Sequence, residues 1–106
     1  MHNPQNLHIN TINGDWCDKD IVMLHGCFQL LANFVEKEIA KETVDWEYNE
    51  PTKNARKEMD ELYHWWQQRI NKEAEGEYDP ILNTEQYETD NQMLIRLIEV
   101  RKYMWI

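Results

Sequence analysis

Glu58 and Glu61 stand three residues apart, and so do Glu85 and Glu88. Carboxylates at that interval share one face of a helix, and two such pairs on facing helices can hold Mg²⁺ against a triphosphate. Metal-assisted hydrolysis of a nucleotide is therefore the catalytic chemistry that these residue types and spacings offer. Composition closes other routes. The chain contains no serine, which removes the serine nucleophile, and its three glycines form no phosphate-cradling loop. His2, His8, His25 and His64 are scattered, and His64 beside Trp65 reads as a partly buried hydrogen-bonding residue. His25 and Cys27 are two apart in a helical pattern, so they face different directions and make a poor chelating pair. Cys17 and Cys27 are too few for a disulfide scaffold and too widely spaced for a metal knuckle, so both are expected to be reduced thiols.

The balance of charge points to a different kind of function. Twenty acidic residues against eleven basic ones give a net charge of −9, which repels free nucleic acid and anionic membranes. Seven acids, Glu73, Glu75, Glu77, Asp79, Glu85, Glu88 and Asp90, fall in one segment that holds no Lys or Arg. A looser run from Glu36 to Glu50 carries six acids and two lysines, while Arg96, Arg101 and Lys102 gather near the C-terminus. Carboxylates spaced in this way can imitate a phosphate backbone and occupy a basic, nucleic-acid-binding groove on another protein. Trp65, Trp46 and Tyr78 are the aromatic anchors such a surface would use. The expected partner is then a protein or nucleoprotein complex, with no direct nucleic acid, no membrane and no cofactor. Mg²⁺ enters only under the hydrolase alternative, through Glu58, Glu61, Glu85 and Glu88. A plain solvated acidic connector, and homo-oligomer contacts through an apolar bundle face, are the further alternatives.

These residues need helices to position them. The run DKDIVMLHGCFQLLANFVEKEIAKE, with Asp18 or Asp20 as N-cap, places Leu24, Phe28, Leu31, Phe34, Val35 and Ile39 at three- and four-residue steps. Gly26 within it is expected to mark a close helix crossing. Trp46 and Tyr48 fall in a loop that ends at Pro51, a residue suited to a first helical turn. Ala55, Met59, Leu62, Trp66 and Ile70 then form the apolar stripe of a second helix. After the breakers Gly76 and Pro80, Asn83 and Gln86 resemble a capping pair, followed by Met93, Leu94, Leu97, Ile98, Met104 and Trp105. The pattern predicts one all-α domain over 1–106, a small three-helix antiparallel bundle. Its helices span 18–42, 51–72 and 84–106, behind an irregular or extended N-terminal arm, 1–17. No run approaches the roughly 18 apolar residues of a membrane span, and the polar start lacks the layout of a signal peptide.

Within the second helix, YHWWQQR sets Trp65 beside Trp66, and one packing surface cannot take both rings equally. Trp66 falls on the core stripe. Trp65 is expected either to stack on a guanidinium or to anchor a partner. Arg69, and Arg96 or Arg101, are expected to pair with Glu36 or Glu38 across the bundle, sheltered by the aromatic rings.

The blocks LHGCFQLLANFVEKE (24–38), DELYHWWQQR (60–69) and DNQMLIRLIEVRKYMW (90–105) resemble small proteins of tailed bacteriophages. That resemblance implies expression in the cytoplasm of a bacterial host, and a viral inhibitor of host machinery of the anti-CRISPR or other anti-defence kind. A small virion or assembly protein is the structural alternative. The ExxE pairs are also similar to the ExxE and ExxD of all-α nucleotide pyrophosphohydrolases of the MazG type. The chain departs from that pattern, because its second pair ends in Glu88 and Asp90 is out of step.

Overall fold

The computed structural model of the chain describes residues 7–12, 18–39, 45–74 and 84–104. Its three helices are α1 (Lys19–Asn33), α2 (Glu50–Ala74) and α3 (Thr84–Val100), and no strand occurs among the described residues. The all-α, three-helix reading is therefore borne out. The Asp18 carbonyl receives the N–H groups of Ile21 and Val22, but its side chain makes no cap bond. At the start of α2 the Asn49 carboxamide oxygen accepts both the Thr52 N–H (2.9 Å) and the Thr52 hydroxyl (2.7 Å). A cap of this kind contributes roughly 1 kcal/mol.

Two helix ends differ from the periodicity. α1 continues into a π-helical turn, Phe34–Glu38, in which the Ile39 N–H bonds to the Phe34 carbonyl five residues back. The wider turn keeps Phe34, Glu38 and Ile39 all buried. α3 tightens into a 3₁₀ turn over Arg101–Tyr103 instead of running on as α-helix.

Polar contacts fix the helix directions. Arg69 near the end of α2 meets Asp90 near the start of α3, and Arg96 near the end of α3 meets Glu58 near the start of α2. α2 and α3 are thus antiparallel. Tyr63 donates to Glu36 just beyond α1, and His25 lies against Trp66, so α1 is antiparallel to α2 as well. Tyr87 donating to Asp20 joins the starts of α1 and α3, which run parallel.

Inside this frame lie Leu24, Phe28, Leu31, Phe34 and Ile39, then Trp46, Ala55, Met59, Leu62 and Trp66, and finally Leu97 and Val100. Burying each large side chain stabilises the fold by roughly 1.5–3 kcal/mol. The stripe predicted for α2 needs correction, and the apolar run of α3 is not all interior. Ile70 is only partly buried, while Arg69 is 4% exposed and takes the interior position. Ile98 is on the surface, at 58% exposed.

The described part of the N-terminal arm is irregular, with a turn closed by the Ile12 N–H on the Ile9 carbonyl (3.3 Å). It lies on α1: the Asn10 N–H donates to the Gln29 side chain (2.9 Å), and Gln29 donates to Asn33 (2.9 Å). Gly26 therefore faces the arm and not a helix crossing, since a Cβ there would sit 3.5 Å from Ile9 Cδ1. That is an ordinary van der Waals distance, so the glycine is not sterically required. Gly26→Ala is expected to stabilise the protein by about 0.5–1 kcal/mol through helix propensity, read as a higher urea midpoint. A lower midpoint would show that the arm cannot accommodate the methyl group.

Candidate functional site

At the pole where α1 and α3 begin and α2 ends, a polar network penetrates the core. Arg69 grips Asp90 with a two-pronged hydrogen bond, Nε to Oδ1 at 2.9 Å and Nη2 to Oδ2 at 3.0 Å, and both residues are 4% exposed. Its remaining nitrogen, Nη1, donates to Glu73 Oε2 at 2.9 Å, one turn away on α2. Gln86 on α3 donates a further bond to Asp90 Oδ1 at 2.9 Å. The planar guanidinium matches a carboxylate edge in this way, which a lysine could not do.

His25 of α1 extends the network towards the arm. Thr11 Oγ1 and His25 Nδ1 are 2.6 Å apart, and His25 Nε2 lies 3.3 Å from Glu73 Oε2, outside hydrogen-bond alignment. The imidazole meets Trp66 edge-on at 4.9 Å, and Trp66 stacks on Phe28 at 4.8 Å. Burial holds the His25 pKa below its ordinary 6.5, and the Arg69 charge acts in the same sense, against the pull of Glu73 and Asp90. Cys27, a half-buried free thiol, is pushed up by burial, which makes it a poor nucleophile.

Trp66, not Trp65, takes the guanidinium, with the Arg69 carbon 5.9 Å from its ring centre. Trp65 is partly buried against Phe28 (5.4 Å) and Trp66 (6.0 Å). The partners expected for the arginines are also corrected. Arg69 binds Asp90 and Glu73, and Arg96 binds Glu58 and Glu61, whereas Glu36 accepts from Tyr63 at 2.7 Å. His64 is exposed.

The residues proposed for partner binding separate into three groups. Glu85 and Glu88 are exposed at the start of α3, and Glu73 is partly exposed at the end of α2. Asp90 and Trp46 are interior instead: Asp90 is sealed by Arg69 and Gln86, and Trp46 packs edge-on against Phe34 at 6.0 Å. Glu75, Glu77, Tyr78 and Asp79 lie outside the described residues. Asp18 and Asp20, cap candidates by their place in the sequence, are exposed at the same pole because α1 starts there.

The two carboxylate pairs do not meet. Arg96 Nε donates to Glu58 at 2.7 Å and Nη2 to Glu61 at 2.8 Å, a second Nη2 contact reaches Glu58, and this arginine holds the Glu58 carboxyl below its usual range. Glu85 and Glu88 sit 8 to 11 residues earlier along α3 than Arg96, about 12–16 Å at helical rise. One Mg²⁺ cannot bridge that gap, and no cluster of three or more His, Cys, Asp or Glu able to hold a metal occurs among the described residues. A cavity beside Arg69, lined in part by Ile21, Leu24, Tyr87 and Leu94, measures about 30 Å³. It has room for one or two waters and not for a substrate. No helix among the described residues is long and apolar enough to cross a membrane.

Two outcomes are expected from this geometry. Asp90→Ala leaves a buried guanidinium short of its main partner and should cost about 3–5 kcal/mol in urea denaturation, with Arg69→Met/Asp90→Leu recovering much of the loss. Equal losses in the single and double variants would show that the ion pair itself supplies the stability. Because His25 takes up a proton more readily in the unfolded chain than in the fold, stability should decline as the pH falls below about 6.5. It should level off below the folded pKa. The decline, read as urea midpoints from pH 7.5 to 5, should shrink in His25→Gln; an unchanged profile would sink this assignment.

No family model, curated protein or solved structure matches the chain.

Proposed function

We propose that this is a non-catalytic, acidic binding protein of bacteriophage origin that docks one pole of its bundle into a basic, nucleic-acid-binding groove of a host protein complex. It would act in the host cytoplasm as an anti-defence inhibitor of the anti-CRISPR kind. The observation that carries the reading is the convergence of Asp18, Asp20, Glu73, Glu85 and Glu88, from three helix ends, at one pole. In sequence, Glu75, Glu77 and Asp79 fall between Ala74 and Thr84. Two helix N-termini at this pole present their positive dipole ends, which offsets the mutual repulsion of so many carboxylates.

Such a surface works by long-range attraction. Steering raises the encounter rate with a basic groove, and occupation of the groove excludes the nucleic acid that normally lies there. Neither Trp46 nor Trp65 supports the docking as an aromatic anchor, since both are engaged in packing. Among the described residues, Tyr87, 38% exposed and hydrogen-bonded to Asp20 at 2.9 Å, is an aromatic that faces solvent at this pole.

The test is capture from a bacterial lysate on tagged protein, followed by competition with duplex DNA. Wild type should retain a nucleic-acid-binding protein at low salt, release it to DNA, and lose on the order of tenfold in affinity between 50 and 200 mM salt. The variant Glu75→Gln/Glu77→Gln/Asp79→Asn/Glu85→Gln should lose it while keeping its helical circular dichroism. Binding that resists both salt and these substitutions would refute groove occlusion.

A further inference from the structure

The surface of α1 and α3 that faces away from α2 exposes four large apolar side chains: Met23 (63% exposed), Leu30 (49%), Ile95 (57%) and Ile98 (58%). The Asp20–Tyr87 hydrogen bond and the cavity walled by Ile21, Leu24, Asn91 and Leu94 mark where α1 and α3 meet. At about 100° per residue, Met23 and Leu30 lie roughly a quarter turn from that seam, on the same side of it as Ile95. Ile98 lies closer in, so the four side chains form one patch, a pattern that marks interaction surfaces.

We infer that this face is a homodimer interface in which two copies pack α3 against α3 and α1 against α1, antiparallel, about a two-fold axis at Ile95. Charge order along α3 selects a second copy as the occupant. Glu88 and Ile95 on α3, and Lys102 in the 3₁₀ turn that continues it, follow at seven-residue intervals, so one face carries an exposed carboxylate at its start, Ile95 at its centre and an exposed ammonium, 5.3 Å over the Tyr103 ring, at its end. Turned end for end about Ile95, the face is complementary to itself: Glu88 of each copy meets Lys102 of the other, and Ile95 meets Ile95.

α1 obeys the same symmetry. Met23 and Leu30 are also seven residues apart, so inversion about their midpoint places Met23 of one copy on Leu30 of the other. The Asp20–Tyr87 contact sets the relative height of the two helices, and it brings that midpoint within about 2 Å of the Ile95 level. A single axis therefore serves both helices. The interface is isologous and closed, which limits assembly to a dimer. This inference does not depend on the acidic pole reaching a groove.

Sedimentation equilibrium over about 1–100 µM tests it, because specific interfaces of modest size associate within that range. Wild type is expected to dimerise, and Ile95→Glu, which sets two carboxylates against each other on the axis, is expected to be monomeric with unchanged circular dichroism. Glu88→Lys and Lys102→Glu should each weaken dimerisation about tenfold, since every substitution acts twice, and the double exchange should return it to within about threefold of wild type. The charge exchange remains decisive even if Ile95→Glu fails to fold. A wild type that stays monomeric at 100 µM, a dimer indifferent to Ile95→Glu, or a double exchange no tighter than the single variants would each overturn the inference.

Discussion

The paired burial of Arg69 and Asp90 is the constraint from which the rest of the bundle follows. Each charge would lose several kcal/mol on leaving water alone, so neither helix can bury its residue unless the other presents the opposite charge at the same height. The fork then admits one register of α2 against α3, because a shift of one turn, about 5.4 Å, would leave both groups unpaired. Trp66, itself stacked on Phe28, completes the shelter by laying its ring against the guanidinium. Its contribution is better described as selecting one arrangement than as adding stability, since a well-packed apolar pair would serve the latter equally.

From that fork the network spreads to every part of the described structure at this pole. Glu73 links Arg69 to the His25 environment, His25 reaches Thr11, and the arm is thereby tied to all three helices. At the opposite pole Arg96 clasps Glu58 and Glu61, a more exposed clamp that fixes the same antiparallel register a second time. The two clamps also divide the carboxylates by role. Those of the Arg96 clamp and Asp90 are internally committed, whereas Asp18, Glu85 and Glu88 point to solvent.

The helices were legible because apolar periodicity is a local signal, and Leu24, Phe28, Met59, Leu62 and Trp66 all fall where the three- and four-residue steps place them. The ion pairs were not. Arg69 and Asp90 are separated by 21 positions, and pairing at such a distance depends on how two helices dock. A signal was nevertheless present: Ala55, Met59, Leu62, Trp66 and Arg69 keep one unbroken stripe, as do Asp90, Met93, Leu97 and Val100, so opposite charges each occupied a core position. Ile98 belongs to the apolar run of α3 and yet faces outward, because periodicity cannot distinguish a core-facing side chain from one facing a second surface. Trp46 was assigned outward because a loop's packing is not periodic at all. The acidic pole needed the directions of all three helices, since Asp18 and Asp20 are remote in sequence from Glu85.

The π turn at Phe34–Glu38 carries a consequence for how this sequence tolerates change in length. Its ladder closes over five residues where an α-helix closes over four, so it holds one residue more than regular winding requires. Loss of a single residue there would let the segment relax into ordinary helix while keeping the chain connected. Because the wide turn takes up the extra residue within itself, everything downstream would keep roughly its present orientation, and Ile39 would stay on the core face. The segment is thus the place along this helix where the loss of one residue is most easily absorbed, provided that the edge-on contact of Phe34 with Trp46 is kept.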